Sequence, residues 1–518
     1  MNSRLLDLLR DDLHAARYRL TDLVALWGSA AEGARLRGVV LPAVRELARQ
    51  DPQPLATIAR VFLLGQSATA AELNTAFPSL GAAGLVELGI ARERGSGELI
   101  AELSLNPVVI PHVAEDPVEW WILSDLDDHL RQGPAKPDHV MGVGGATRSL
   151  IAQGVPRSLD EQSRVLDLGT GCGIVAMALA ASGSQRVVAT DISERALHIA
   201  RANAHMNGLS AHIEFRQGNL FEPVSHDEFD LIVSNPPFVI TPRSVGERAD
   251  ERFEYRDGGL TGDELAARVV REAPKYLAPH GVLVCLANWE SPWGSNGLER
   301  VRSWIGEASE LAHAPLDAWV IERDQVDPAQ YAETWARDGG ARQGSDEFTA
   351  LLGAWLDDFS ERRIVSIGLG SIRVRRAVSG ESVIRAESAM GMFAADGVEE
   401  TLSRAFEAGV DAERMSDDDA RAARWIRNDR LAEEREFRPG SEDPRALRFV
   451  IDAPIGRRID VDPLLASAIG ACDGDLTLEQ IADALATLLD VERDDASREL
   501  LAGMRELAWY GMVTPGRS

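Results

Sequence analysis

The chain has 518 residues, with 54 Lys plus Arg against 82 Asp plus Glu, a formal net charge of −28. That length exceeds one ordinary domain of about 100–200 residues and predicts about three. The acidic balance excludes a surface that coats nucleic acid throughout, and no run approaches the roughly 18 consecutive apolar residues of a membrane span.

The first twenty residues, MNSRLLDLLRDDLHAARYRL, carry acids and lack a secretory signal core, so a soluble, cytoplasmic protein without membrane contact is expected. Cys172, Cys285 and Cys472 lie far apart with no paired spacing, which predicts a reduced chain without a metal site. Only Lys136 and Lys275 are lysines; the other basic residues are arginines, a bias of the kind a GC-rich actinobacterial genome produces. Charge is uneven along the chain. Residues 1–100 balance 11 Arg with 11 acids, whereas 381–518 carry a net −13, so contact with a polyanion is expected only through the N-terminal segment or local arginine clusters.

In chain order, residues 1–50 read as helix from apolar positions such as Leu5, Leu6, Leu9, Leu13 and Leu20. PLATIARVFLLG, TAAELNTAFP and LGAAGLVELG follow as three short helical patterns, and the last runs into a glycine-tipped hairpin. Three helices and a two-stranded wing resemble a winged-helix module, and residues 1–110 are read as an N-terminal helical, winged-helix-like domain. Residues 111–163 carry the Pro and Gly punctuation of a connector, then a short helix from about Thr147.

From Arg164 the texture changes. RVLDLG, RVVATD, FDLIVS and GVLVCLA are short β-rich runs alternating with helical segments, which predicts an α/β domain over 111–380 with a parallel sheet covered by helices on both faces. DAWVIER and RIVSIGLGSIRVRR add two strands, separated by a helical insertion at about 327–360. Residues 381–518 read as an acidic, mostly helical closing domain. Within it, RAARWIRNDR spaces Arg421, Arg424, Arg427 and Arg430 around Trp425 at helical intervals, either an arginine stripe for phosphates and a base or a solvated face cancelled by neighbouring acids.

Two motifs carry chemistry. VLDLGTGCGI places Asp167 at the end of the first α/β strand and Gly169, Thr170, Gly171 and Gly173 in the turn that follows, where open sheets bind ligands. Asp191, followed by Ile192, ends the next strand at a position suited to accepting from ribose hydroxyls. A dinucleotide fingerprint would need a glycine where Ile174 stands. The second motif, NPPF, follows the run FDLIV: two prolines give a rigid path with no backbone N–H, keeping carbonyls free to accept from a substrate.

The glycine loop, Asp191 and NPPF in this order resemble the class I S-adenosylmethionine-dependent methyltransferases, with a Rossmann-like sheet. The resemblance implies S-adenosylmethionine as cofactor, its methionine part held by the strand-end Asp167 and the glycines and its ribose by Asp191. It also implies an adenine contact at Asn219 and Leu220, where Asn219 replaces the usual acid but still offers a side-chain carbonyl. Thr147 either meets the cofactor carboxylate or simply caps its helix.

NPPF resembles the motif of amino-methyltransferases acting on nitrogens conjugated to a π system, among them base methylases and release-factor glutamine methyltransferases. By that resemblance Asn235 and the Pro236 carbonyl accept the two N–H groups of the target, Pro237 stiffens the turn, and Phe238 stacks on the planar group. EYRDGGLTGDEL, residues 254–265, resembles a segment of the release-factor enzymes, although those carry tyrosine where this chain has Phe238. The expected acceptor is an exocyclic amine of an RNA or DNA base. The alternatives are a glutamine or related amide of a protein, and a winged-helix binding protein whose cofactor domain only senses its ligand.

Overall fold

The computed structural model describes residues 1–95, 97–111, 113, 117–127, 130–131, 136, 138–237, 239–242, 261–338, 341–394 and 396–516. Phe238 and most of the EYRDGGLTGDEL segment, on which two of the sequence expectations rest, lie outside these residues.

The centre is an eight-stranded sheet, its strands numbered here β1 Arg164–Leu168, β2 Arg186–Asp191, β3 Ile213–Gln217, β4 Phe229–Ser234, β5 Leu277–Pro292, β6 Leu316–Val326, β7 Ile364–Arg376 and β8 Ile384–Ser388. Their spatial order is β8-β6-β7-β5-β4-β1-β2-β3. β7 runs antiparallel to both of its neighbours, and the remaining pairs are parallel.

The β-rich runs are apolar on both sides because both faces are covered. Val165, Val187, Ala189, Leu231 and Val233 point into one core, while Leu166, Leu168, Val188 and Ile232 point into another. The first face carries helices α1 Gly145–Gly154, α2 Ile174–Ala181 and α3 Glu194–Met206; α4 Glu264–Glu272 and α5 Gly297–Ala312 cover the second. These are the α/β layers expected from the alternation of strands and helices. Between β6 and β7 stand the insert helices α6 Pro328–Asp338 and α7 Asp346–Glu361, which build a separate apolar core around Tyr331, Phe348, Trp355 and Phe359.

The N-terminal region holds seven helices between Ser3 and Glu87, then strands Ala91–Arg94 and Glu98–Ala101, which are joined by a two-residue strand at Ala68–Thr69. Its apolar residues belong to the same continuous core as the first face of the sheet. The segment read as a connector contains a strand: Val118–Asp125 pairs antiparallel with Leu103–Ile110. Its run VEWWILSD buries Trp120 and Trp121 and lies within the punctuation, with Pro111 and Pro117 before it and further Pro and Gly after it.

The C-terminal region is less helical than expected. Between its helices lies an antiparallel sheet of Ala432–Phe437, Pro444–Ile451 and Arg457–Val461. Cross-strand ion pairs from Arg448 to Glu436 (3.0 Å) and Asp460 (2.7 Å) hold it. Leu447, Phe449 and Ile451 alternate along the sheet's central strand and Ile459 and Val461 along the last, whereas the first, AEEREF, carries four charges in six residues and gives no strand signal. The central sheet also takes its last strand, β8, after residue 380.

RAARWIRNDR is not a continuous helix. The helix Asp417–Ala422 ends within it, and Trp425–Arg427 is a strand pairing with Val513–Pro515. Trp425 is fully buried and donates to the Ala420 carbonyl. Arg421 pairs with Asp418 and Arg430 with Asp452, and Arg424 and Arg427 donate to the carbonyls of Asp475 and Gly470. No arginine stripe flanks an exposed ring. Among the described residues no helix is long and apolar enough to cross a membrane.

Candidate active site

A cavity of about 680 Å³ opens at the carboxyl ends of β1, β2 and β4. Such a crevice is where open α/β sheets take ligands.

One end is made by the glycine turn. The N–H groups of Gly169 and Thr170 both donate to the Thr190 carbonyl (3.0 and 2.9 Å), folding the turn against the end of β2. Gly169 has φ +79° and Gly171 φ +54°, and an added Cβ at either position would project into open space. The turn is therefore a bare backbone cradle that only glycine adopts without strain. Gly173 serves differently. It is absent from the cavity wall, and a Cβ there would stand 2.9 Å from the Cβ of Ala200 on α3, so this glycine permits close helix packing.

Asp167 is almost completely buried behind the turn, accepting from the Thr170 hydroxyl (2.6 Å) and the Ala176 N–H (2.9 Å). It caps α2 in place of Gly173, which has no side chain to do so. Burial pushes its carboxyl up to about 7 despite these two donors, and the neighbouring Asp191 adds to the rise. Asp191 accepts from the N–H groups of Gly171 and Ser193, both at 2.9 Å, and burial raises its pKa as well. Ile192, Asn219 and Leu220 line the same end. Leu220 takes the left-handed φ of +48°, a conformation that non-glycine residues seldom adopt and that concentrates at functional sites.

The other end is made by the motif after β4. Ser234 donates to the Leu168 carbonyl (2.8 Å), fastening the end of β4 to β1. Asn235, Pro236 and Pro237 then line the cavity. The Asn235 amide nitrogen donates to the Thr147 hydroxyl at 3.4 Å, while its side-chain oxygen is buried and meets no donor among the described residues. A buried acceptor in that state costs stability unless something donates to it. Thr147 is neither the N-cap of α1, which is Gly144, nor remote from the motif; its hydroxyl steadies Asn235.

Much of the wall was not foreseen from the sequence, including His139, Val140, Leu265 and Trp335. His139 and Val140 belong to a stretch held by Asp125, which accepts from the Val140 N–H (2.7 Å) and pairs with Arg195. Leu265 comes from α4 and Trp335 from the insert. Leu265 closes the EYRDGGLTGDEL segment, which was not expected to line a site; the other three stand in no motif, and the chain's folding brings them to the cavity.

The donors and space fit S-adenosylmethionine: a cradle open to backbone approach, two carboxylates beside it, and an unpartnered acceptor at the far end. Among the described residues no cluster of His, Cys, Asp and Glu could hold a metal ion.

Comparison with known proteins adds the relationship. A family model described as Methyltransferase small domain matches residues 145–253, and one described as a domain of unknown function (DUF7059) matches 15–102. A release factor glutamine methyltransferase of Xylella fastidiosa is 43% identical over 150 residues, 28% of this chain and 54% of the relative. A ribosomal protein uL3 glutamine methyltransferase of Bradyrhizobium diazoefficiens is 37% identical over 152 residues, covering 29% and 46%. The chain thus spans about half the length of the curated relatives it matches. A solved ribosomal protein L11 methylase from Lactobacillus delbrueckii subsp. bulgaricus aligns over 46% of this chain and 81% of its own at 20% identity, with a TM-score of 0.25, too low to carry an argument. Taken with the cradle and the NPP turn, the matches identify the central part of the chain as a class I S-adenosylmethionine methyltransferase domain of the methyltransferase small type, related to release factor and protein glutamine N5-methyltransferases.

Proposed function

We propose that this protein is an S-adenosylmethionine-dependent N-methyltransferase whose acceptor is the side-chain carboxamide of a glutamine in a protein. The observation that carries the reading is the buried, unpartnered oxygen of Asn235 at the end of the cavity opposite the glycine cradle. Two further observations favour an amide over a nucleic-acid base. The relatives named above are glutamine methyltransferases, and the arginines expected to track phosphates are committed to ion pairs and carbonyls.

The cofactor, when bound, supplies a methyl group made electrophilic by its sulfonium. In this reading the Gly169–Gly171 backbone holds its methionine part, with Asp167 and Thr170 behind. Asp191 with Ile192 takes the ribose, and Asn219 with Leu220 the adenine.

A carboxamide nitrogen is planar, its lone pair is delocalised, and it attacks poorly unless pulled out of conjugation. Asn235 accepts one N–H through its side-chain oxygen and the Pro236 carbonyl accepts the other, aiming the lone pair at the methyl carbon. Among the described residues the Pro236 carbonyl accepts no backbone hydrogen bond, and Pro237 contributes no N–H to compete. The nitrogen's proton becomes acidic only as the new N–C bond forms, so it passes to water without a dedicated base. The rate comes chiefly from alignment.

The test is transfer of labelled methyl into a lysate of cells lacking the enzyme, with Asn235→Ala as control, followed by protease or nuclease digestion. Label released by protease and absent with the variant is the expected result. Label released by nuclease would move the acceptor to a nucleic-acid base.

A further inference from the structure

The strand FDLIVS and its motif leave the central sheet through Val239 and Ile240, and the residues that receive them belong to the insert between β6 and β7. Ile240 is completely buried, in the insert's own core and not in either core of the sheet. Both of its backbone groups are held by insert side chains: its N–H donates to the Tyr331 hydroxyl (3.0 Å), and its carbonyl accepts from the Trp355 indole N–H (2.7 Å). The same Tyr331 oxygen accepts from the Asn288 amide of β5 (3.0 Å), which ties this grip to the sheet. Trp335 follows Tyr331 by one helical turn, so it shares a face of α6 with it. The two rings stand 6.0 Å apart, and Trp335 reaches the wall of the cavity that Asn235, Pro236 and Pro237 also line.

One helix thus grips the exit of the motif with one aromatic residue and walls the acceptor end of the cavity with another. We infer that the insert is this enzyme's acceptor-selecting element: Trp335 is a specificity-determining residue against whose indole the acceptor's carboxamide side chain packs, and Tyr331 and Trp355 are positioning residues that fix the motif through Ile240. The inference rests on the proposed function for the identity of the acceptor, and only for that. An indole face suits a flat amide and its methylene arm, which gain contact area there without needing a charged partner.

The experiment compares Trp335→Ala, Trp335→Phe and Tyr331→Phe in the full chain, using whichever acceptor the wild type labels in the lysate. Trp335→Ala is expected to raise the KM for the acceptor about five- to tenfold, and Trp335→Phe to recover most of that loss. The Kd of S-adenosylhomocysteine, measured by calorimetry, should stay within about twofold in both. Tyr331→Phe keeps the buried ring and is expected to lower kcat about tenfold with KM little changed. Without any acceptor present, it should also speed hydrogen exchange at the Ile240 amide.

An acceptor KM unmoved by Trp335→Ala, or a loss of cofactor affinity as large as the loss in KM, would overturn the wall. Unchanged exchange at Ile240 would overturn the grip, even if the wild type labelled nothing. Nuclease-sensitive label overturns the glutamine reading alone, because the same variants are then compared on the nucleic acid.

Discussion

The two ends of the cavity are built in opposite ways. The cradle end comes from one short run of chain, from Asp167 to Leu220, whose turns are closed by their own backbone and by two carboxylates. The acceptor end gathers Thr147, Asn235 and Trp335 from across nearly 190 positions, and its motif is steadied by side chains of a helical insert. A ligand shared by many enzymes can be held by local geometry that recurs intact. An acceptor particular to one enzyme is met by parts that distant segments supply.

Four changes break or sharpen that contrast. Removing the acceptor's orienting group has the largest expected effect: Asn235→Ala should lower kcat by roughly 10³-fold, with cofactor Kd nearly unchanged by calorimetry. A comparable loss of cofactor binding would mean that the two ends are not separate. At the cradle end, Asp191→Ala should raise the cofactor KM about 10- to 100-fold, the worth of hydrogen bonds to a charged acceptor, and leave kcat at saturation little altered.

The third concerns pH. Burial holds Asp167 protonated up to about 7, against its ordinary value of 3.8. A cationic ligand favours the carboxylate, so cofactor affinity should rise with pH and be about tenfold weaker at pH 6 than at pH 8. Asp167→Asn should remove the slope in a titration series. The ligand-free protein carries the opposite sign. Between about 4 and 7 the unfolded chain releases this proton before the folded one does, so the contribution of Asp167 to stability, full below 4, is lost as pH rises through 7. The smallest effect is that of Thr147→Val, which removes one hydrogen bond to Asn235 and should lower kcat about two- to tenfold without touching cofactor affinity. Equal effects on both parameters would place Thr147 at the cofactor.

The contrast also explains what could be read from the residues alone. The cradle was legible because Asp167, the glycines and Asp191 each sit at the end of an apolar run that is a strand for its own local reasons. NPPF was legible for the same reason. Gly173 shows the limit of that reading: its place in the motif suggests ligand contact, whereas its neighbour is Ala200. Trp335 and Tyr331 carried no signal, since an aromatic residue on an amphipathic helix reads as core whether it faces a core or a cavity. Arg421 to Arg430 misled because helical spacing was inferred across a point where the helix stops and a strand begins. The strand VEWWILSD was hidden by the punctuation on both sides of it.

One buried amide has a consequence for where the enzyme begins. Asn203 on α3, fully shielded from solvent, exchanges hydrogen bonds with both backbone groups of Leu123 (2.8 and 2.9 Å) and donates to the Cys172 carbonyl in the cradle (2.8 Å). A single side chain therefore stitches a strand that precedes the recognisable methyltransferase region to the turn at its heart. The match to the methyltransferase family model starts at residue 145, while the contacts that brace the cradle start upstream of it. An excised fragment beginning at 145 would keep α1 to α3 on the first face of its sheet but expose the apolar residues that the N-terminal region covers there, with its cradle unbraced, and is expected to aggregate.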